Sequence, residues 1–265
     1  MVLASLTLGA VVGVLLSGAF LYFEVGRFAE PQVPVTLFDE RKELFAYTAG
    51  LFVGIPLAIA FVLFQISMGA GALIGAVVFL ALLVVGDEVA QWALLRTRFW
   101  GTDPAKPFYA LGYRAAIGGI ISLAVVSQYL SNPTITVDGT ALVILESVAI
   151  VALQVAGSFL SLPAIVPGER TGGSAVAGGL FSTIGFFLLG LGAVGGETTA
   201  YGGALVALLG AALVYRRLRP TLASVPAPMA GPKPPKEAAP LPYGRTTPTR
   251  SSEKDASPSG RKGTG

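Results

Sequence analysis

Residues 72–88 read ALIGAVVFLALLVVGDE, an apolar run that ends in two adjacent carboxylates, Asp87 and Glu88. No charged residue interrupts the run before Asp87. About 20 mostly apolar residues are needed to cross the hydrocarbon core of a bilayer. Residues 71–95 therefore predict a membrane-spanning helix that carries two acidic side chains towards one of its ends.

The composition of the whole chain is typical of a membrane protein. Of 265 residues, 53% are apolar and only 12% are charged, and the mean hydropathy is +0.72; soluble domains have about 25% charged residues. The chain contains no Cys and no His. This excludes disulfides, thiolate and imidazole catalysis, and the usual zinc, copper and haem ligands. We therefore predict neither a cofactor nor a resident metal.

Seven segments meet or approach the length and apolarity of a membrane span. We predict an all-α fold, an integral membrane seven-transmembrane-helix bundle formed by residues 1–219. The second and third segments are separated only by small residues, which predict a tight turn and a helical hairpin. The predicted spans lie near residues 2–23, 44–65, 71–95, 109–130, 140–162, 174–193 and 200–215.

The connections between these spans alternate in basic charge. Under the positive-inside rule, connections with Lys and Arg face the cytoplasm. We therefore predict a multi-pass protein of the cell membrane with its N-terminus outside and its C-terminus in the cytoplasm (N-out, C-in). Lys and Arg occur in connections 24–43, 96–108 and 163–173, and are missing from connections 66–70, 131–139 and 194–199.

The first segment has an alternative interpretation as a cleaved signal peptide. Ser17 and Ala19 would then be the small residues before a cleavage site at Phe20. However, signal peptides begin with a basic region, and this segment has none. Cleavage would also place Arg27 and Arg41 outside and invert every later connection. We therefore favour a membrane span.

Residues 220–265 form a basic tail rich in Pro, Ser and Gly. The tail holds ten of the 18 prolines and almost no large apolar residues, so we predict that it is disordered and cytoplasmic. Arg216, Arg217 and Arg219 lie just before it and are predicted to contact anionic lipid. No nucleic-acid partner is predicted, because the cations of the tail are scattered without interleaved aromatic residues.

Small residues recur every four positions in most spans, for example at Gly50 and Gly54 or at Gly71 and Gly75. Such faces let helix backbones approach closely, which favours helix association in lipid. We interpret them as packing within the bundle; the alternative is a homo-oligomer or another membrane-protein partner. Pro56 has no backbone N–H and predicts a kink in the second span.

Ionisable residues inside the spans are candidate functional groups, because a charge in a bilayer is costly. Adjacent residues of a helix point about 100° apart. We therefore expect one of Asp87 and Glu88 to reach the bundle interior, and the other to face the interface or pair with Arg114 on the next span. Trp92 and Trp100 predict the cytoplasmic aromatic belt beside them. The structural alternative is an ion pair that only fixes the packing of the two helices.

A second group of polar residues lies on the fifth span. Glu146 is about six residues from the external end, and Ser147, Gln154 and Ser161 recur at intervals of seven residues with Ser158 beside them. This polar stripe should face protein or a wet cavity rather than lipid. The alternative is simple interhelical hydrogen bonding. Further polar residues extend the stripe on the neighbouring spans: Gln65, Ser122, Ser127 and Gln128.

Three functions are compatible with these features. The first is transport or conduction of a small ion or solute, with Glu146 and Asp87 at opposite ends of the stripe as titratable or cation-binding groups. The second is a non-catalytic scaffold or complex subunit. The third is an intramembrane lipid-modifying enzyme, in which Asp87 and Glu88 hold a divalent cation while Arg96 and Arg98 bind phosphate. We favour transport; a water-accessible cavity between Glu146 and Asp87 would distinguish it from a closed scaffold.

Overall fold

The structure is a computed structural model and describes residues 7, 9–22, 39–97, 99–100, 103, 105–131, 136–161 and 171–222, without the side chains of 171–172 and 219–222. The described residues belong to the first of two compact units, Met1–Ala227. The second unit, Pro228–Gly265, lies wholly outside them. The prediction of a disordered tail therefore concerns residues outside the description from position 223 onward.

All regular secondary structure in the described ranges is α-helical, as predicted. Helices α2 to α7 are each long and apolar enough to cross a membrane, whereas α1 is a shorter apolar helix. The predicted first span also includes residues 1–6, which are not described. The bundle therefore has the build of a multi-pass membrane protein with at least six membrane-length helices. The helices are α1 Gly9–Tyr22, α2 Glu40–Gly69, α3 Leu73–Leu95, α4 Lys106–Leu130, α5 Val137–Ser161, α6 Thr171–Gly190 and α7 Gly192–Leu222.

Two helix starts differ from the prediction for local reasons. α2 begins at Glu40 rather than near residue 44, because the Asp39 side chain accepts a hydrogen bond from the Arg41 N–H at 2.9 Å and caps the helix. α7 spans Gly192–Leu222, but its backbone is non-helical at Gly196, where φ is 75° and ψ is −173°. The predicted connection 194–199 therefore contains a break between two helical segments rather than a longer loop, and glycine adopts this conformation without steric cost.

The hairpin between α2 and α3 has the predicted tight turn. Only Ala70 to Ala72 separate the two helices, and Gly71 at φ 70° makes the reversal. The two glycines of this predicted small-residue face differ. An added Cβ at Gly71 would meet nothing within 4 Å, whereas one at Gly75 of α3 would lie 3.2 Å from Ser67 Oγ of α2. Gly71 therefore serves the turn, and Gly75 lies at the close contact between the two helices of the hairpin.

α4 and α5 form the centre of the bundle. In the most apolar stretch of each, 78% of the residues are buried, against 28–39% in the other four membrane-length helices. The surrounding helices expose large apolar side chains on their outer faces, such as Phe52 on α2, Ile74 on α3 and Leu180 on α6. A helix that exposes apolar residues outward suits contact with lipid acyl chains.

Close backbone contacts at small residues join the helices. Gly50 packs on the Tyr113 carbonyl, and a Cβ at Gly54 would lie 2.9 Å from the Ile120 Cβ. Later residues of α2 thus meet later residues of α4, so the two helices run parallel and in contact. Gly13 of α1 lies against Gly119 of α4. The predicted packing of these small faces within the bundle is therefore confirmed. α2 also continues as one helix through Pro56.

One end of the bundle collects the basic residues. Lys42 at the start of α2 pairs with Asp103, and Arg96 at the end of α3 lies 4.5 Å from the Trp92 ring centroid. The rings of Phe159 and Tyr215, 5.6 Å apart, bring the end of α7 to the same side. We call this side the basic end.

Trp100 does not take the lipid-facing belt position that the sequence predicts. Its side chain is 1% exposed and lies between Phe45, Phe99 and Tyr109, with ring centroids 5.0–6.0 Å away. Aromatic neighbours from α2 and α4 supply enough apolar contact to bury it. Trp92 remains 47% exposed, as a belt residue would be.

Candidate functional site

The side chain of Arg114, at the centre of the bundle on α4, is fully buried. Its Nη1 pairs with the Asp87 carboxylate, and its Nη2 lies 2.7 Å from Glu88 Oε1. Its Nε donates to Gln91 Oε1 at 2.7 Å, and Nη1 donates to Gln154 Oε1 at 3.1 Å. The guanidinium therefore joins α3 and α5 to α4 through charged and amide acceptors.

Both adjacent carboxylates of α3 reach the same cation, whereas the sequence predicts this pairing for only one of them. Asp87 and Gln91 are one helical turn apart and share a face. Glu88 points about 100° away, but the guanidinium is a planar fork with donors on separate nitrogens. Arg114 can thus bind Asp87 with one nitrogen and Glu88 with another.

Serines of α5 complete the network. Gln91 Nε2 donates to Ser158 Oγ at 3.3 Å, and Ser161 Oγ lies 3.1 and 3.0 Å from the two carboxylate oxygens of Glu88. The α5 stripe therefore faces protein, as predicted. We call this group the Arg114 cluster; its members are Asp87, Glu88 and Gln91 of α3, Arg114 of α4, and Gln154, Ser158 and Ser161 of α5.

The Arg114 cluster has an excess of negative charge. Two carboxylates share one guanidinium, which leaves one net negative charge when all three groups are ionised. The side chains of Arg114 and Asp87 are 0% and 2% exposed, and that of Glu88 is 16% exposed. An unbalanced charge in a low-dielectric interior costs several kcal/mol. Uptake of a proton or of a monovalent cation would balance it.

Part of the hydrogen-bonding capacity of the cluster is unused. Among the described residues, Asp87 Oδ1 and Gln154 Nε2 have no hydrogen-bond partner, although both atoms are buried. Buried polar atoms without a partner are costly, and in native proteins they often mark a functional group or a bound water or ion. The carboxylate of Asp87 and the side chain of Gln154 lie within hydrogen-bonding range of each other, so a small adjustment would let these two atoms satisfy one another.

The cluster lies well inside the helices. Asp87 precedes the end of α3 by eight residues, and Arg114 follows the start of α4 by eight residues. At a rise of about 1.5 Å per residue, both lie about 12 Å inward from the basic end. This depth is consistent with the sequence analysis, which placed the carboxylates inside a span and nearer to one face of the membrane.

Two predicted site residues lie apart from the cluster. The Ser147 carbonyl accepts a hydrogen bond from Ser122 Oγ at 3.1 Å, so that part of the stripe joins α5 to α4. Glu146 is half-buried. It precedes Gln154 by eight residues, about 12 Å along α5. The structure therefore brings Asp87, Glu88, Arg114, Gln154 and Ser158 together and leaves Ser147 and Glu146 at another level.

The polar stripe of α5 is closed between these two levels. A Cβ added to Gly118 of α4 would lie 2.9 Å from the Val151 Cα and 3.5 Å from the Gln154 Cβ. The side chains of Ser147, Gln154 and Ser158 are fully buried. A water-filled path from Glu146 to Asp87 would need space between α4 and α5 at this level. The close contact at Gly118 fills that space.

Two grooves open between helices away from the cluster. One of about 450 Å³ lies between α2 and α4 beside Ile59 and Leu123. The other, of about 240 Å³, lies between α1, α5 and α7 beside Phe20 and Leu208. Both are apolar, and no member of the Arg114 cluster lines either of them.

Sequence reasoning missed Gln91 and Glu43. Gln91 follows Asp87 by four residues, a spacing that places both on one helical face and could have revealed it. Glu43 is 7% exposed, and neither of its carboxylate oxygens has a hydrogen-bond partner among the described residues. It fits over the Cα of Gly112. No signal of this kind marks Glu43 in the sequence, because it precedes the predicted second span.

No family model, no curated protein and no solved structure matches the chain.

Proposed function

We propose that this multi-pass membrane protein moves protons or small monovalent cations, with the Arg114 cluster as its ion-handling site. The observation that carries the proposal is that two carboxylates share one buried guanidinium, an arrangement with one excess negative charge when all three groups are ionised. Ionisable groups inside a membrane bundle commonly mark ion and proton pathways. Here the charge balance also favours a specific stoichiometry, one positive charge for each cluster.

The arrangement of the cluster suits a change between two states. When a proton or cation neutralises one carboxylate, Arg114 keeps the other as its partner. Because Asp87 and Glu88 lie on α3 while Arg114 lies on α4, the loss of one ion pair would weaken the contact between these helices. Helix shifts of this kind are a common element of switching in proteins. Glu146 is the proposed second group, at the opposite level of α5. Because the stripe is closed between the two levels, movement of an ion between them would require the contact of α4 with α5 at Gly118 to open.

The orientation proposed from the sequence is N-out and C-in, with the basic end in the cytoplasm. Consecutive helices alternate in direction, and Lys42 at the start of α2, Arg96 at the end of α3 and the end of α7 lie on one side of the bundle. Arg216 and Arg217 are exposed at the end of α7, and we propose that they bind anionic lipid together with Arg219.

Flux measurements in proteoliposomes test the proposed function. We expect the purified protein to carry protons or sodium down an imposed gradient, and Glu88→Gln or Asp87→Asn to reduce the flux at least tenfold. Glu197→Gln is the matched control, because Glu197 is exposed on α7. Wild-type vesicles that carry no ion across a broad panel would refute the proposal.

A scaffold is the second candidate, and the closed stripe of α5 favours it. Ser147, Gln154 and Ser158 are fully buried, and Gly118 closes the space beside them. In that case the Arg114 cluster would serve only to fix α3, α4 and α5 in register. Variants of the cluster would then lower stability, and no flux would exist to be lost.

The geometry does not favour the lipid-modifying enzyme. That function needs a divalent cation between Asp87 and Glu88. Arg114 pairs with both carboxylates, so a divalent cation would have to displace a buried guanidinium. A replacement of this kind would leave the Arg114 charge unpaired in the bundle, which is strongly unfavourable.

A further inference from the structure

The groove between α1, α5 and α7 lies near the basic end of the bundle. It has a volume of about 240 Å³, and its wall includes Phe20 of α1, Ala156 of α5, and Leu208 and Tyr215 of α7. Phe20 precedes the end of α1 by two residues, and the ring contact of Tyr215 with Phe159 lies at the basic end. The groove therefore occupies the half of the bundle that adjoins the basic end.

The groove opens to the outer surface of the bundle. Ala212 of α7 lines it and is exposed, while Phe20 and Leu208 are half-buried. An empty apolar groove loses van der Waals contacts on its open side, and water finds too few polar partners there. The flexible apolar molecule that can restore those contacts inside a membrane is the acyl chain of a lipid.

α7 carries a cation on the same face, directly beyond the groove. Leu208, Ala212 and Arg216 are spaced by four residues, which places them on one side of the helix. Arg216 is exposed and lies about 6 Å nearer to the basic end than Ala212. This face of α7 thus changes from apolar to cationic in one turn, in the order in which a phospholipid changes from acyl chain to phosphate.

The larger groove, between α2 and α4, lacks this arrangement. The face of α2 that lines it at Ile55 and Ile59 continues with Phe52 on one side and Ile66 on the other, both exposed and apolar. A lipid chain in that groove would have no cation of this face beside its headgroup. The complementary charge at Arg216 therefore distinguishes the smaller groove.

We propose that the groove between α1, α5 and α7 binds one anionic phospholipid, with an acyl chain along Leu208 and Ala212 and the phosphate at Arg216. The inference rests on the lipid contact proposed above for the arginines of α7, to which it gives a defined site, and it does not depend on ion transport. A lipid bound there would fill the gap between α1 and the pair of α5 and α7.

Native mass spectrometry of the purified full-length protein, titrated with lipid, tests the site. The probe is phosphatidylglycerol, compared with phosphatidylcholine of the same acyl chains. We expect one phosphatidylglycerol to bind at least fivefold more tightly than phosphatidylcholine. Glycerol phosphate, which has the anion without the chains, should not compete with it, because the groove holds the chain.

Two pairs of variants separate a site from diffuse attraction. Ala212→Leu narrows this groove and should weaken phosphatidylglycerol binding at least fivefold, whereas Ala124→Leu narrows the larger groove and should leave the affinity unchanged. Arg216→Gln should also weaken binding. Arg217→Gln is its matched control, because Arg217 points about 100° away from Arg216 and its loss changes the net charge equally.

The outcomes separate this inference from the lipid contact on which it rests. Unchanged binding in Ala212→Leu, or equal losses in Arg216→Gln and Arg217→Gln, would overturn the groove site. If phosphatidylglycerol then still bound more tightly than phosphatidylcholine, the general contact of the arginines with anionic lipid would survive. Equal affinity for the two lipids would refute both. A loss of binding in Ala212→Leu and Arg216→Gln, but not in their controls, supports the site, whatever ions the protein carries.

Discussion

Gln91 of α3 accepts a hydrogen bond from Arg114 Nε at 2.7 Å, so an uncharged side chain holds the third edge of a buried guanidinium. The other atom of the same amide, Nε2, donates to Ser158 of α5 at 3.3 Å. One glutamine thus connects the charged pair on α3 and α4 to the polar stripe on α5. The two carboxylates and this amide together determine how the three helices meet.

Replacing Gln91 with leucine should destabilise the bundle without changing its net charge. The substitution leaves Arg114 Nε and Ser158 without this partner in a buried site, and loss of a hydrogen bond to a charged group costs about 1.5–3 kcal/mol. The measurement is the free energy of unfolding in detergent. Gln128→Leu is the control, because Gln128 is exposed on α4. Equal effects at the two positions would contradict the role given to Gln91.

The charge balance of the cluster predicts an order among its variants. Arg114→Gln leaves Asp87 and Glu88 buried without a cation, and breaking a buried pair in this way costs about 3–5 kcal/mol. Asp87→Asn leaves one carboxylate with one guanidinium and should cost clearly less. The melting temperatures of the wild type, Arg114→Gln and Asp87→Asn check the order. A more stable Arg114→Gln than Asp87→Asn would show that the net charge assigned to the cluster is mistaken.

The contact of α2 with α4 predicts that Gly54 tolerates no large side chain. A Cβ at Gly54 would already lie 2.9 Å from the Ile120 Cβ and 3.3 Å from the Ile117 Cα. Gly54→Leu would therefore separate two backbones, and overpacking typically costs about 1–3 kcal/mol or more. Leu213→Ala on the exposed face of α7 is the comparison. Equal melting temperatures for both variants would mean that the glycine face is not an essential interface.

The proposed orientation predicts which single cysteines react from outside an intact cell. The chain has no native Cys, so labelling has no background. Thr136→Cys, before α5, should react with a membrane-impermeant thiol reagent, and Thr97→Cys, after α3, should react only once the membrane is opened. Both threonines are exposed. The reverse pattern would place the basic end outside the cell.

Glu146 distinguishes transport from a purely structural role. If it serves an ion path, Glu146→Gln should abolish flux, because the amide keeps the shape of the side chain but cannot exchange a proton or bind a cation as the carboxylate does. The melting temperature should change little. If Glu146 only makes a structural polar contact, the glutamine variant should behave as wild type, and Glu146→Leu should lower the melting temperature. Flux and melting temperature measured on both variants decide between the two roles.

Most of the helices could be predicted from the sequence, because the length of an apolar segment is a local property. The hydrocarbon core requires about 20 apolar residues per span, and the bounds of α2 to α6 agree with the predicted segments to within four residues at each end. The start of α7 could not be predicted in this way. Residues 194–199 look like a connection because they are small, and whether Gly196 ends a helix or bends it depends on its backbone angle.

The sequence also determined which residues are unusual: Asp87, Glu88 and Arg114 are charges within spans, and such charges are rare because of their desolvation cost. Their partners were decided by tertiary structure. The faces on which the helices meet depend on how closely their backbones approach. Glycines such as Gly118 of α4 and Gly178 of α6 allow the close approach. Local sequence sets the position of a charge along a helix, whereas the rotation of each packed helix determines what the charge contacts.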